Sequence, residues 1–262
     1  MLSRSRQTGL SLVELMVGLV VGLIVVAGAG AMYVTTVRGQ TYALRAAKLN
    51  QDLRATMNII ASDVRRSGYW GGAIAAGGAP APLPHPYTLR GVPQTDVTIL
   101  EGGTCVMYAY DADGDATDLT TETNQEVFGF RLNGSVVQML DDVITDTSNC
   151  ATGTWGAMTS NDTIVIDALS FSSTGSQCMN ATGGLSWQLT AANSTLAPCA
   201  APAADITMNS GGVHAAPVAG DLMTEVRQLT IVLIGHHQSD PTMASTVIET
   251  VHLPNNRVFN AP

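Results

Sequence analysis

The sequence predicts an α+β protein. One long N-terminal α-helix, membrane-spanning in its first half and amphipathic in its second, packs on an antiparallel β-sheet. Three observations predict it. No charged residue lies between Leu15 and Val37, a run long enough to cross the hydrocarbon core of a bilayer. Beyond it, apolar or aromatic residues recur at Tyr42, Ala46, Leu49, Leu53, Met57, Ile60 and Val64, in steps of three and four that trace one face of a helix. After Gly68 the pattern changes to short β-rich runs punctuated by Gly, Pro, Asn and Ser, which is the signature of strands and turns.

Each element follows from its residues. A helix from Leu10 to Ser67, about 87 Å long at 1.5 Å per residue, divides into a hydrophobic segment, 10–37, and an amphipathic segment, 38–68. Gly68 is its expected stop. Residues 69–262 form a globular, β-rich domain that opens with a Gly/Pro-rich loop at 71–86. Strands are expected at 96–100, 105–110, 127–132, 135–140, 162–171, 226–235 and 246–253. Asn133-Gly134 suits the tight turn of a hairpin. Between 172 and 220 the chain is rich in Ser, Thr, Gly, Ala, Pro and Asn, and an irregular loop is expected there.

Composition narrows the function class. Charged residues make up only 13% of the chain against 45% hydrophobic, with a net charge of −9, which suits a secreted or envelope protein better than a cytosolic enzyme. From Tyr69 to Pro262 there are 18 acids and four bases, Arg90, Arg131, Arg227 and Arg257. That net of −14 excludes nucleic acid as a partner, because no basic patch is available to neutralise phosphates. The four cysteines are Cys105, Cys150, Cys178 and Cys199. An even count without a C-x-x-C pair argues for two disulfides rather than a zinc site. Three pairings are open. Cys105–Cys150 and Cys178–Cys199 are favoured because each staples a local loop.

Glu14 raises a different question, since an acid within a membrane segment costs roughly 2.5–3.5 kcal/mol. Gly28, Gly30 and Ala31 could mimic the cleavage site of a secretory signal, but such a signal has a shorter apolar core than this run of over twenty residues. A plain anchor oriented by Arg4 and Arg6 explains the length and leaves Glu14 unexplained. The stretch "GLSLVEL", Gly9 to Leu15, resembles the type III signal of type IV pilins and their relatives, with Leu10 and Ser11 where phenylalanine and threonine are commoner. The resemblance implies that residues 1–9 are a leader cut after Gly9 by a prepilin peptidase. Leu10 would then be an N-methylated N-terminus and Glu14 the fifth mature residue, pairing with a subunit's terminal amine during assembly. "RRSGYWGG" (65–72), "YAYDADGD" (108–115), "EVFGFRLNGSVVQ" (126–138) and "VRQLTIVL" (226–233) resemble PilW-type minor pilins. That resemblance implies a minor pilin of a type IV pilus that primes assembly and sits at or near the fibre tip. Its partners would be other minor and major pilins, the prepilin peptidase, the inner-membrane assembly platform and a tip adhesin. It would be held in the bacterial inner membrane with a periplasmic C-terminal domain before assembly. A J-type pseudopilin of type II secretion is the alternative, and a tip adhesin or ligand-binding module is a second.

The acidic stretch "DADGDATDLTTE", 111–122, has the ligand spacing of a calcium loop: Asp111, Asp113, Asp115, Thr117 and Glu122 offer hard oxygens at alternating positions and a last carboxylate. Ala116 in place of the turn glycine, and a strand rather than a helix leading in, favour a metal-free turn. Calcium is the only cofactor the sequence suggests. No G-x-S-x-G, H-E-x-x-H or P-loop motif is present. His236 and His237, adjacent on a strand, face opposite sides, so no enzyme activity is expected.

Overall fold

The computed structural model describes residues 9, 11–71, 85–90, 94–114, 126–182, 185–189, 206–208 and 219–260. The chain divides into two compact units, Met1–Lys48 and Leu49–Pro262. Helix α1 runs Leu12–Val64, and everything in the first unit that is described belongs to it or immediately precedes it.

In the second unit the stripe read from the sequence is the buried face of α1. Leu49, Leu53, Met57, Ile60 and Val64 are all within 1% of full burial. The helix ends earlier than Ser67 because its last turn tightens: Arg66 and Ser67 donate to the carbonyls of Asp63 and Val64, three residues back. Gly68 then takes φ +70°, a conformation that a side chain resists, and donates its N–H to Ala109 at 2.8 Å.

Eleven strands follow among the described residues, in two antiparallel sheets. The first contains β1 (Thr98–Leu100), β2 (Cys105–Ala109), β3 (Val127–Asn133), β4 (Val136–Leu140) and β5 (Trp155–Ala157), in sequence order. The β3–β4 hairpin turns at Asn133-Gly134, with Gly134 at φ +62°. Every residue of β2 is buried. Successive side chains point to opposite faces, so both faces of this strand are covered. Tyr108 reaches Asp63 of α1, while Cys105, Met107 and Ala109 join a core cluster with Tyr87, Val127, Leu140 and Cys150. A disulfide joins Cys105 to Cys150.

The second sheet contains β6 (Ile164–Ser172), β7 (Gln177–Asn180), β8 (Leu185–Leu189), β9 (Ile206–Met208), β10 (Leu222–His237) and β11 (Asp240–Asn260). Its order is β11-β10-β7-β8-β9, with β6 also on β10. Strands β7, β8 and β9 correct the expectation of an irregular loop at 172–220. The polar residues of β7 become strand because the N-terminal part of β10 offers an open backbone edge, with Met223 opposite Asn180 and Val226 opposite Gln177, and β8 and β9 add to β7 in turn. Backbone pairing made these strands, and apolar periodicity did not mark them.

Strand β11 continues past its expected end at Leu253. Glu225 faces Arg257 and Arg227 faces Leu253, so Pro254, Asn255 and Asn256 bulge opposite Val226 alone. Proline has no N–H for the ladder and is at home in such a bulge.

Candidate functional site

The first candidate is the start of α1. Gly9 is exposed, and Leu10 lies outside the described residues. Ser11 caps the helix, its Oγ accepting the Glu14 N–H at 3.2 Å. Glu14 is the acidic residue of the first turn, where the helix dipole favours a negative charge. Ser11-x-x-Glu14 has the spacing of a capping box, of which the Ser11 half is formed. Behind it, Leu12, Leu15, Leu19, Ile24, Val26 and Met32 are exposed, and none of the most apolar 18-residue window is buried. Covering one such side chain is worth about 1.5–3 kcal/mol. A surface this apolar requires lipid or protein around it.

The second candidate is the acidic turn. Oxygens of Asp111, Asp113 and Glu126 lie within 4.8 Å of one another, with Asp111 and Glu126 buried. Asp111 accepts the N–H of Gly71 at 2.8 Å and of Gly114 at 2.6 Å, and Glu126 accepts the Tyr87 hydroxyl at 2.7 Å. Of the set read from the sequence, Asp115, Thr117 and Glu122 lie outside the described residues. Glu126 was missed because the twelve-residue template ends at Glu122. It enters through strand pairing, its carbonyl accepting Tyr110 N–H at 3.0 Å. Three hard oxygens so close could contribute to a calcium shell. The two backbone bonds to Asp111 also make it an ordinary turn-former.

The third is a buried charge cluster that sequence reasoning missed. Arg227 and Glu225 are fully buried on the core face of β10, and Asp96 is 1% exposed. Arg227 binds Asp96 and the carbonyl of Asn255, the residue presented by the β11 bulge. Arg90 forks onto Glu225 at 2.8 and 2.6 Å and reaches Asp96 at 2.8 Å. Arg257 stands 3.6 Å from Glu225 and donates to Thr88 O at 3.0 Å. Burial, then the neighbouring Arg90 charge, lowers the Arg257 pKa. Beside the cluster, burial and the Arg227 charge push His85 down to about 4. The ring packs edge-on to Trp70, and its Nδ1 accepts the Tyr87 N–H. These arginines were counted in the sequence as charge; their role is architectural.

Among the remaining described residues, the histidines of β10 and one cavity were further candidates. His236 pairs with Asp167 at 2.8 Å while His237 accepts from Ser239 at 3.1 Å, so the two rings share no ligand. A cavity of about 230 Å³ beside the second half of α1 is lined by residues including Asp52, Thr56, Ser160 and Thr163. No nucleophile–base pair stands among these four. Cys178 is disulfide-bonded, and its expected partner, Cys199, lies outside the described residues.

Comparison with known families agrees with the first candidate. The prokaryotic N-terminal methylation motif matches residues 4–30, and the family model of prepilin peptidase-dependent protein B matches residues 42–253. No curated protein and no solved structure matches the chain. The two matches support a pilin-like or pseudopilin role that is structural in kind and depends on peptidase processing, and the apolar helix behind the motif fits anchoring in the inner membrane. With a family match over most of its length, the chain belongs to the prepilin peptidase-dependent protein B family.

Proposed function

We propose that the chain is a minor pilin of a type IV pilus, of the PilW type, that primes assembly and sits at or near the fibre tip. Prepilin peptidase removes residues 1–9, and Leu10 becomes an N-methylated terminus. Residues 10–37 hold the subunit in the inner membrane with its C-terminal domain in the periplasm, then pack among other pilins when the assembly platform extracts it. The observation that carries this reading is the uncovered apolar helix set directly behind Gly-Leu-Ser-Leu-Val-Glu. Glu14 supplies the counter-charge for a subunit's terminal amine, because a charge in an apolar surround needs a partner.

Mass spectrometry of the mature protein should find N-methylated Leu10 and no peptide from residues 1–9. An intact leader in assembled fibres, or cleavage near Ala31, contradicts the reading. Glu14→Ala should leave membrane insertion intact and impair incorporation. The J-type pseudopilin shares this N-terminus, and the genes flanking this one separate it from the minor pilin.

Calcium in the acidic turn is a separate reading, favoured by the approach of Glu126 to Asp111 and Asp113. Titration calorimetry with calcium should then give saturable heat that Asp113→Asn weakens. No heat would leave the turn metal-free.

A further inference from the structure

The middle of α1 carries a run of positive charge that takes part in none of the ion pairs among the described residues. From Leu15 to Gln51 the sequence has no acid, and its three cations are Arg38, Arg45 and Lys48; the first acid beyond them is Asp52, one helical turn after Lys48. Spacings of seven and three place them along one side of the helix. All three are exposed, and the ion pairs among the described residues include none of them. The globular unit has the opposite character. Its arginines beyond Gly68 are committed internally, three to Asp96 and Glu225 and Arg131 over the Trp155 ring at 4.3 Å. Glu101, Asp141 and Asp162 remain exposed.

A lipid surface suits only part of this stripe. The uncharged run Leu15–Val37 spans about 35 Å of helix, enough for the hydrocarbon core, so Arg38 falls in the headgroup layer, which is roughly 5–7 Å deep. Arg45 and Lys48 lie about 10 and 15 Å farther along the helix, both beyond that layer, and Lys48 about a Debye length or more past its edge at physiological salt.

We propose that Arg45 and Lys48, with Arg38 at the membrane boundary, form a docking stripe for the acidic globular surface of a neighbouring pilin-like subunit. The inference rests on the assembly reading above. It adds a second, electrostatic register to the helix: apolar packing holds the segment before Val37, and charge pairing holds the segment after it. Arg45 and Lys48, three residues apart, repel each other, and the single acid Asp52 leaves the stripe net positive, so it favours an acidic partner over a neutral one.

Lys48 is the only lysine in the chain, which makes the test specific. Fibre-bearing cells producing the full chain are treated with a carbodiimide, which condenses an amine with a carboxylate at zero length with loss of water, and cross-linked peptides are sequenced. The expected product joins Lys48 to an Asp or Glu in the globular part of another subunit that carries a prepilin motif. Its yield should fall several-fold at 1 M salt and several-fold in Arg45→Gln, which keeps Lys48 and helix propensity, while membrane fractionation stays unchanged. The proposal is overturned if Lys48 is unlinked in the fibre, is linked only within its own chain, or links equally well in Arg45→Gln. It is also overturned if Lys48 condenses only with the carboxylate of an anionic phospholipid. Wild-type chain absent from fibres and retaining residues 1–9 removes the assembly reading and this inference together. Wild-type chain in fibres with Lys48 unlinked removes the inference alone.

Discussion

The two units of this chain treat unfavourable groups in opposite ways. In the segment before Leu49, apolar side chains stand exposed along the helix, and Arg38, Arg45 and Lys48 take part in none of the ion pairs among the described residues. In the unit from Leu49 onward even full charges are buried, and each has a partner: Arg227 with Asp96, and Glu225 with Arg90 and Arg257. A surface left unsatisfied inside one chain is one that other molecules complete. A surface satisfied internally supports the fold and offers little to a partner. Under the proposed function, the first unit's helix is completed by other molecules while the second unit's buried charges are completed within the fold, and each prediction below acts on one side of that difference.

The largest effect should come from breaking the buried cluster. Asp96→Ala leaves the guanidinium of Arg227 buried beside only a carbonyl. Removing one partner of such a pair costs about 3–5 kcal/mol, measurable as a drop in the urea midpoint of the globular unit. Replacing Cys105 and Cys150 together by Ala should cost somewhat less, about 2–4 kcal/mol, by freeing a loop of 45 residues in the unfolded chain. Neither change should alter membrane insertion. If either did, the division between the units would be wrong.

What the sequence made legible follows the same division. The hydrophobic run, the α1 stripe and most strands repeat locally, so a short window reveals them: Leu49, Leu53, Met57, Ile60 and Val64 announce a helix face without any knowledge of what covers it. The charge cluster was not legible. Asp96 and Arg227 are separated by 131 positions, and Glu225 and Arg227 look like solvent-facing charges until β10 is known to bury that register. Pro254-Asn255 was a missed signal, because a proline inside a β-rich run marks a bulge, and this one delivers the Asn255 carbonyl to Arg227. Strands β7 to β9 had no signal of their own, since a partner's edge recruits them. Glu126 escaped because a loop template reads along the chain, whereas the turn is closed across strands.

Acid should act on the second unit through His85. Its folded pKa of about 4, against an ordinary 6.5, means that the unfolded chain takes the proton first. The stability it contributes is therefore complete above pH 6.5 and is lost as pH falls toward 4. Protonation would also end acceptance by Nδ1 of the Tyr87 N–H. The ring is partly solvated, so the loss is on the order of 1 kcal/mol after screening. Thermal melts of the wild type and His85→Gln between pH 7 and 4 should converge as the pH falls, the carboxylates titrating alike in both. Parallel melts would remove His85 from the acid response.

The smallest effect on stability should come from the first unit, at Ser11. Ser11→Ala removes the acceptor of the Glu14 N–H, a loss worth about 1 kcal/mol to a helix start. That energy belongs to the first turn of α1. The side chains that fasten the helix to the globular unit begin at Leu49, more than thirty positions later, and a frayed first turn does not reach them. The urea midpoint should therefore stay within measurement error of the wild type. In detergent micelles, amide exchange should quicken at residues 12–15 and nowhere beyond Leu49. Should the midpoint fall by even half the capping energy, the start of α1 and the globular unit unfold as one cooperative body. The contrast between a segment held by its neighbours and a domain held by itself would then have to be abandoned.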